Sequence, residues 1–289
     1  MYTTMKYILD DATQNNYAVI AANAINMEMA RGEILAADEL EAPLIIIIGP
    51  MAMMKHASAD LMVPIIKTLA ETTKSPIALC LDHGRKFEDV AYAFRMGFSS
   101  IMIDASTYEM EENIQRTQKV VELCRAAGVS VEGELGHVGM AATLDGCNEA
   151  MYTRPEDAVQ FATQTHVDSL AIAAGTAHGK YPDGFIPKIN FELIRKIKAA
   201  TNHMPLALHG SSGSGDENIR KAVEAGINKI NVATEILMAC KDSIVKRTST
   251  DPDIAFLDLL VEMQQAAKDM TSHWIQLSGS AGKSKNFRG

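Results

Sequence analysis

The chain has 289 residues, and its 47% hydrophobic and 22% charged residues exclude intrinsic disorder, collagen-like repeats and coiled coils. Its 27 Lys and Arg against 36 Asp and Glu give a net charge of −9, which predicts no nucleic-acid partner. The four cysteines lack metal-ligand spacing, and we recognise neither a signal peptide nor an apolar run long enough to span a membrane. We therefore expect a cytoplasmic protein that does not bind membranes.

Eight short apolar runs recur along the chain, with segments of helical periodicity between them. Continuous apolar runs are typical of parallel strands that are buried on both faces. The predicted strands lie in Tyr17–Asn23, Pro43–Pro50, Pro76–Gly84, Ser99–Ser106, Ser130–Gly136, Ser169–Gly179, Pro205–Ser212 and Lys229–Glu235. Alternation of strand and helix eight times over predicts an α/β fold, a closed (β/α)8 TIM barrel that forms one domain over residues 1–289.

Three further segments complete the predicted architecture. One extra helix precedes the barrel in Thr4–Thr13 and another follows it in Pro252–His273. The long non-periodic stretch Gly136–Arg154 is a candidate mobile active-site loop. The alternative is an open doubly wound sheet, which usually carries a glycine-rich loop after its first strand. Here the first strand ends in Ala-Ala-Asn23, which favours the barrel.

Polar side chains end seven of the eight apolar runs. They are Asn23, Asp82 with His83, Asp104, Glu132 with Glu134, His178, His209 and Asn231. The carboxyl ends of barrel strands carry the chemistry of this fold, so these groups are expected to converge on one mouth. Three neutral imidazoles with one open position form a catalytic zinc shell, and His83, His178 and His209 supply three from separate strands. The pattern predicts a zinc site.

Three carboxylates accompany the predicted histidine ligands. Asp82 precedes His83, and it either orients an imidazole or acts as a general acid and base at the metal. Both side chains can face the site only if the strand ends or bulges between them. Asp104 and Glu134 are candidates for further metal ligands, for carboxylates that orient the histidines, or for simple structural roles.

A segment of small residues, His209–Glu217 (HGSSGSGDE), leaves the seventh predicted strand and opens a helix. Its exposed backbone N–H groups beside a positive helix end suit a phosphate. Phosphates recurrently bind at the seventh and eighth strands of such barrels. Asn231 and Thr234 would supply side-chain donors on the other side.

Seven motifs carry a family resemblance over nearly the whole chain. They are Asn23–Glu28, Leu81–Gly84 (LDHG), Met102–Ser106 (MIDAS), Glu132–Gly136 (EGELG), Gly175–Gly179 (GTAHG), Leu208–Ser212 (LHGSS) and Lys229–Glu235 (KINVATE). With these motifs the sequence resembles the class II, zinc-dependent ketose-bisphosphate aldolases, the fructose- and tagatose-bisphosphate group.

The resemblance implies a lyase that reversibly cleaves a ketose 1-phosphate or 1,6-bisphosphate into dihydroxyacetone phosphate and an aldehyde. It implies that His83, His178 and His209 hold zinc, that Glu134 is an alternative metal-site carboxylate, and that Asp82 donates a proton at the C4 oxygen. A monovalent cation (Na⁺ or K⁺) near the phosphate and a homodimer or homotetramer are usual in the family. The implied substrate-binding residues are Asn23, Gly179, Gly210, Ser211, Ser212, Asn231, Val232, Ala233 and Thr234.

The sequence also departs from the family pattern. The segment after Glu134 usually carries acidic residues that handle the proton on the enediol carbon. Here it reads GMAATLDG, which leaves Asp145 and Glu149 as the nearby acids. Ala233 matches tagatose-type members, whereas Gly84 matches fructose-type members, so a divergent sugar phosphate is a further possible substrate.

Two alternatives to a zinc aldolase stay open. A Schiff-base aldolase would use a lysine such as Lys180, just past the sixth predicted strand, but it would leave the three histidines unexplained. A non-catalytic phosphosugar-binding or regulatory barrel would explain the missing acidic residues.

Overall fold

Every apolar run predicted as a strand contains one strand of the sheet in the computed structural model, which describes residues 1–287. The eight strands pair in parallel in chain order, and the last pairs with the first, so they form a closed barrel. The predicted (β/α)8 fold is confirmed. The strands are β2 (Val19–Asn23), β3 (Leu44–Ile48), β4 (Ile77–Gly84), β5 (Ser100–Ile103), β6 (Ser130–Leu135), β7 (Ser169–Ile172), β8 (Leu206–Leu208) and β9 (Ile227–Val232).

Helices surround the barrel, and one short strand, β1 (Tyr2–Thr3), pairs with the start of β4. The first and last helices are the two predicted outside the repeat. None of the helices in residues 1–287 is long and apolar enough to cross a membrane. The helices are α1 (Met5–Gln14), α2 (Met27–Glu39), α3 (Pro50–Lys55), α4 (Ala59–Glu71), α5 (Phe87–Met96), α6 (Met110–Arg125), α7 (Pro155–Thr165), α8 (Phe191–Ala200), α9 (Asp216–Ala225), α10 (Thr234–Thr250) and α11 (Phe256–Leu277).

Helix α1 closes the amino end of the barrel. It contacts β2, β4, β6 and β9, which lie all around the ring. The backbone N–H of Met5 donates to the Ser100 hydroxyl at the start of β5 over 2.8 Å. Ile8 and Leu9 are fully buried and pack with the inward apolar residues of the strands. Because this end is filled with hydrocarbon, only the opposite mouth is available for chemistry.

Two predicted boundaries differ from the observed ones. The sixth predicted strand, Ser169–Gly179, ends at Ile172, so His178 lies in a loop and not at a strand end. The stretch Gly136–Arg154 contains two single 3-10 turns, Asp145–Cys147 and Glu149–Met151. It also forms a parallel bridge between Met140 and His178. The two loops above β6 and β7 are therefore built against each other.

Candidate active site

A bulge at the end of β4 brings two consecutive side chains into the barrel mouth. The pairing of β4 with β5 shifts register between Leu81 and Gly84, and His83 has φ +50°. A non-glycine residue in this conformation is uncommon, and it breaks the alternation of side chains that a regular strand requires. Asp82 and His83 consequently both face the site. This is the bulge that the sequence analysis gives as a condition for two consecutive residues to act in one site.

Three histidine rings from β4 and from the loops after β7 and β8 meet in the mouth. Each of His83, His178 and His209 offers a ring nitrogen, and these nitrogens lie within 4.8 Å of one another. His83 Nε2 and His209 Nδ1 are 3.0 Å apart. In a tetrahedral zinc site with bonds of about 2.1 Å, ligand nitrogens lie roughly 3.4 Å apart, so this spacing fits a metal. The buried His178 Nε2 has no hydrogen-bond partner among the described residues, as expected of a nitrogen that binds a metal ion.

Carboxylates fix the outward nitrogens of two of these rings. His83 Nδ1 lies 3.0 Å from Asp104 Oδ2, and His209 Nε2 lies 3.0 Å from Glu132 Oε1. A carboxylate that accepts from one ring nitrogen leaves the lone pair on the other, which is the tautomer a metal needs. The two rings are therefore prepared to bind an ion through His83 Nε2 and His209 Nδ1.

Asp104 and Glu134 form a second group with His83 that would hold a metal. Their ligand atoms also lie within 4.8 Å of one another. Glu134 Oε2 is buried, lies 3.6 Å from His83 Nδ1, and has no hydrogen-bond partner among the described residues. The Ser106 hydroxyl lies 2.7 Å from Asp104 Oδ1 and 3.0 Å from Glu134 Oε1, so its one proton bridges the two carboxyl groups. The geometry is compatible with both roles proposed for these carboxylates, as ligands or as groups that orient His83.

Burial and neighbouring charge set the pKa values of this cluster in opposite directions. Burial lowers the pKa of His83, but Asp82 and the hydrogen bond to Asp104 outweigh burial and raise it to about 9. Burial lowers the pKa of His178 far below its ordinary value, and burial also lowers that of His209. Burial raises the pKa of Glu134 to about 8. Without a metal, His83 thus carries an extra proton, whereas the rings of His178 and His209 stay neutral.

An ion pair in the barrel interior supports the histidine cluster, and the sequence motifs do not predict this pair. Lys229 Nζ lies 2.8 Å from Glu132 Oε1 and 2.7 Å from Asn231 Oδ1, and both charged residues are fully buried. Lys229 outweighs the effect of burial and lowers the pKa of Glu132. A lysine within the apolar β9 run was the available signal, since a buried lysine requires a partner.

Asp82 is held by the same network. Asn231 Nδ2 donates to Asp82 Oδ1 over 2.9 Å, and it lies 3.4 Å from His209 Nδ1. The Asn231 side chain therefore connects Asp82, Lys229 and a candidate metal ligand. This arrangement places one oxygen of Asp82 beside the histidine cluster and orients it through a hydrogen bond.

His178 reaches the cluster from a loop that is fixed at several points. Its backbone N–H donates to Gly139 O over 2.7 Å, and its carbonyl accepts from Ala141 N over 2.8 Å. Thr176 Oγ1 donates to the carbonyl of His209 over 2.6 Å. Two neighbouring loops thus replace the rigidity that a strand end gives to the other two histidines.

The predicted phosphate segments lie together above β7, β8 and β9. Loop residues Gly210, Ser211 and Ser212 lead towards the first turn of α10, where Thr234 is the first helical residue and the N-cap residue Ala233 makes no side-chain hydrogen bond. Ser212 Oγ accepts from Glu235 N over 3.3 Å, which joins the loop to the helix. The other amides at a helix start are donors that anions use.

Other predicted substrate residues surround this segment. Gly179 has φ +100° and open space around its Cα, whereas Val232 ends β9 and Ala233 precedes α10. Asn23 ends β2 and donates to Ile47 O over 3.3 Å. These residues are brought to the same mouth, and their contacts with a substrate stay predictions.

The glycines after the three histidines differ in what they make possible. A Cβ at Gly210 would lie 2.5 Å from the backbone of Ala177, so glycine is needed for close approach of two loops. A Cβ at Gly84 would lie 2.7 Å from Leu81 Cδ2. Protein therefore fills the space beside Gly84 and Gly210, so neither glycine opens room for a substrate there.

The sequence profile of the family described as fructose-bisphosphate aldolase class-II matches residues 3–283. The chain belongs to the class II fructose-bisphosphate aldolase family. This family consists of lyases that generally depend on a metal, in agreement with the histidine cluster.

Similar members of the class II aldolase family cover the whole length of the chain. The uncharacterised YdjI protein of Escherichia coli K12 is 36% identical over 99% of this chain and 100% of its own. The crystal structure of the YdjI aldolase matches with TM-score 0.88 and 34% identity, over 98% of this chain and all of that one. A structure from Coccidioides immitis, described as a fructose-1,6-bisphosphate aldolase, matches with TM-score 0.86 and 28% identity over 98% of both chains. The Campylobacter jejuni fructose-bisphosphate aldolase shares the fold, with TM-score 0.83 and 20% identity over 98% of this chain and 97% of that one.

The loop where class II aldolases usually carry acids is short of carboxylates here. Ala141 is buried and packs with Ala177 and Tyr181 of the neighbouring loop. Glu149 is exposed, and the side chain of Asp145 lies outside the described part of the structure. The structure therefore does not identify an acid in this loop that faces the histidines.

The lysines argue against a Schiff base. Lys180 is exposed and pairs with Asp183 over 3.1 Å, so it is a solvated surface group. Lys229 is buried, and although burial lowers its pKa, Glu132 outweighs burial and raises it. A lysine held as an ammonium ion between two acceptors is not a nucleophile.

Proposed function

We propose that the protein is a zinc-dependent aldolase that reversibly cleaves a ketose 1-phosphate or 1,6-bisphosphate, of the fructose or tagatose type, into dihydroxyacetone phosphate and an aldehyde. The observation that carries the proposal is the placement of Asp82 beside three histidine nitrogens, with the start of α10 and the loop of small residues after β8 on the same mouth. These are the groups that proton transfer, metal binding and phosphate binding require in one site.

In this proposal His83, His178 and His209 hold the zinc ion, and Asp104 and Glu132 keep two of the rings in the ligating tautomer. When bound, zinc supplies Lewis-acid stabilisation of the negative charge that develops on the carbonyl group during cleavage. The loop after β8 and the start of α10 bind the phosphate of the dihydroxyacetone phosphate half. A monovalent cation at this phosphate remains part of the proposal.

Asp82 moves the proton. During cleavage its carboxylate accepts the proton of the C4 hydroxyl, the C3–C4 bond breaks, and its electron pair stays on the dihydroxyacetone phosphate half while C4 becomes the aldehyde. During condensation the protonated Asp82 returns that proton to the aldehyde oxygen as the C3–C4 bond forms. Asn231 orients the carboxylate for both directions.

A screen of retro-aldol activity tests the proposal. We expect the zinc-loaded protein to release dihydroxyacetone phosphate from fructose or tagatose 1,6-bisphosphate or from an analogue without the far phosphate. A strong chelator should abolish this activity, and added zinc should restore it. Activity that survives complete removal of the metal would contradict the proposal. A covalent adduct of the substrate with a lysine, trapped by borohydride, would contradict it as well.

The second candidate is a non-catalytic phosphosugar-binding barrel, which the alanines of the loop after β6 favour. The two candidates differ in the fate of the C3 proton of dihydroxyacetone phosphate. An aldolase exchanges that proton with deuterium from solvent, whereas a binding protein retains it. Binding without exchange would replace the first proposal by the second.

A further inference from the structure

A second cavity opens beside Asp82 and His83, on the side of the barrel away from the phosphate segments. Its volume is about 760 Å³, and β4 and the helices α3 and α5 supply its walls. In a closed ring of eight strands, β4 and β8 lie four strands apart in either direction. A substrate whose phosphate lies above β8 and whose reacting bond lies at Asp82 therefore extends its aldehyde half into this cavity.

The wall of the cavity formed by α3 is apolar. Met51 and Met54 on α3 are exposed to 59% and 75%, which is unusual for large apolar side chains next to a polar site. Pro50, Met53 and Tyr92 extend the same wall. A sugar chain with several hydroxyl groups would find few hydrogen-bond partners on it, whereas a chain of methylene groups would bury apolar area there.

Arg85 gives the cavity one anchored cation, at the border with a neighbouring cavity that Glu109 and Glu112 line. Its Nε donates to Asp104 Oδ2 over 3.3 Å, which anchors the guanidinium at one edge. Neither terminal nitrogen of Arg85 has a hydrogen-bond partner within residues 1–287, and the side chain is 69% exposed. A guanidinium held through Nε presents its terminal nitrogens for binding an anion, and such a fork matches the two oxygens of a carboxylate. Lys86 lines the same cavity and forms no ion pair with any described residue.

The lining of the cavity is poorly suited to a phosphate dianion. Asp82 and Asp89 also line it, so two carboxylates oppose the two cations and leave no net positive charge to favour a dianion. The cavity lining contains no run of small residues like Ser211–Gly215, which supplies backbone donors at the phosphate side.

We infer that the aldehyde half of the substrate is an aldehyde acid, with a short apolar chain that ends in a carboxylate bound by Arg85. This inference rests on the aldolase chemistry of the proposed function, and at the same site it replaces the aldehyde half of a fructose- or tagatose-type substrate by an aldehyde acid. In the condensation, C3 of dihydroxyacetone phosphate gives a proton to solvent and its electron pair bonds to the aldehyde carbon, whose oxygen takes a proton from Asp82; Asp82 then regains a proton from solvent. The carboxylate takes no part in the bond changes and serves only for recognition.

Matched aldehydes test the inference. Zinc-loaded protein condenses dihydroxyacetone phosphate with succinic semialdehyde, with its uncharged counterpart butanal, and with the pair glyceraldehyde 3-phosphate and glyceraldehyde. We expect kcat/KM for succinic semialdehyde to exceed that for butanal at least tenfold. The variant Arg85→Gln should reduce this ratio to about one, and Arg195→Gln, which removes an exposed arginine on α8, should leave the ratio unchanged. Zinc content is measured for each variant.

Equal kcat/KM for succinic semialdehyde and butanal would overturn the inference, and so would an unchanged ratio of these two values in Arg85→Gln. It would also be overturned if glyceraldehyde 3-phosphate were preferred over glyceraldehyde by a larger factor than succinic semialdehyde over butanal. A measurement without turnover keeps it testable if the aldolase proposal fails. Calorimetric titration of butanoate into zinc-loaded wild type and Arg85→Gln should show at least tenfold weaker binding to the variant, and equal binding would overturn the inference. Absence of C3 proton exchange would count against the proposed function alone.

Discussion

Along four of the eight strands, two successive inward side chains differ in character. The residue nearer α1 is apolar and belongs to the one buried cluster that packs against that helix, which we call the lower layer. The next inward residue, two positions further along, is polar or charged and belongs to the active-site network, which we call the upper layer. The pairs, with the lower residue first, are Ala21 and Asn23, Cys80 and Asp82, Met102 and Asp104, and Ala207 and His209.

This difference separates stability from chemistry along one strand. Because side chains alternate with a period of two, a step of two residues keeps the side chain inside the barrel and moves it about 6.6 Å toward the mouth. The lower layer buries apolar area, which stabilises the fold. The upper layer places charge where water and substrate enter. Substitutions in the two layers should therefore affect different measurements.

The largest effect in the upper layer is expected at Asp82. The variant Asp82→Ala should lose turnover by about 10²- to 10⁴-fold, the usual contribution of a general acid and base, because no other described carboxylate is hydrogen-bonded to Asn231. Zinc content should stay close to one per chain, since the three histidines remain. Retro-aldol kinetics and metal analysis check both parts. Asp10→Ala at the amino end of the barrel is the matched control, and full activity of Asp82→Ala would refute the role.

Metal binding should depend steeply on pH through His83. Burial lowers its pKa, but Asp82 and Asp104 outweigh burial and raise it to about 9, so below pH 9 an incoming ion must displace a proton. Between pH 7 and pH 9 zinc affinity is expected to rise about tenfold per pH unit, about a hundredfold in all. Competition with a chelator of known pH dependence measures this. A flat profile, or no proton release on zinc binding at pH 7, would show that His83 is already neutral.

Much of this upper layer follows from the sequence, and the reason is local. His83 lies two residues past the apolar part of β4 and His209 directly follows β8, and a strand end fixes the place of its next residues. His178 was assigned to the same cluster although its strand ends six residues earlier, because hydrogen bonds between two loops carry it there. Loop geometry of this kind depends on contacts between distant segments, which periodicity does not encode.

The contacts of Lys229 and Arg85 were not predictable for a similar reason. Lys229 lies in a predicted strand and Arg85 directly follows one, but their partners, Glu132 and Asp104, come from other strands. The sequence predicts which residues reach the mouth, and it does not predict which of them pair. The sequence predicts Glu132 at a strand end, but only the 3.0 Å contact in the structure shows that it holds His209.

A smaller effect is expected for a residue that acts on the metal through a ligand. In Glu132→Gln the amide keeps the size of the side chain but removes the charge that binds His209 and Lys229. Loss of such a supporting carboxylate typically weakens metal binding about 10- to 100-fold. Chelator competition measures the affinity. The exposed Glu88→Gln on α5 is the control, and unchanged affinity in Glu132→Gln would mean that the ring needs no carboxylate.

The smallest effect should come from the lower layer, and it tests the separation itself. Ile45 on β3 is fully buried in the cluster with α1, and Ile45→Val removes one methylene without introducing a polar group. A substitution of this kind typically costs about 0.5 to 1.5 kcal/mol of unfolding free energy. Urea titration of metal-free protein measures that loss, with Ile236→Val on α10 as an equally buried control outside the barrel interior. Because no charge or hydrogen bond of the upper layer involves Ile45, zinc affinity and kcat should stay within about twofold of wild type. If Ile45→Val instead weakened zinc binding at unchanged stability, the two layers would be coupled, and the lower half of each strand would belong to the active site.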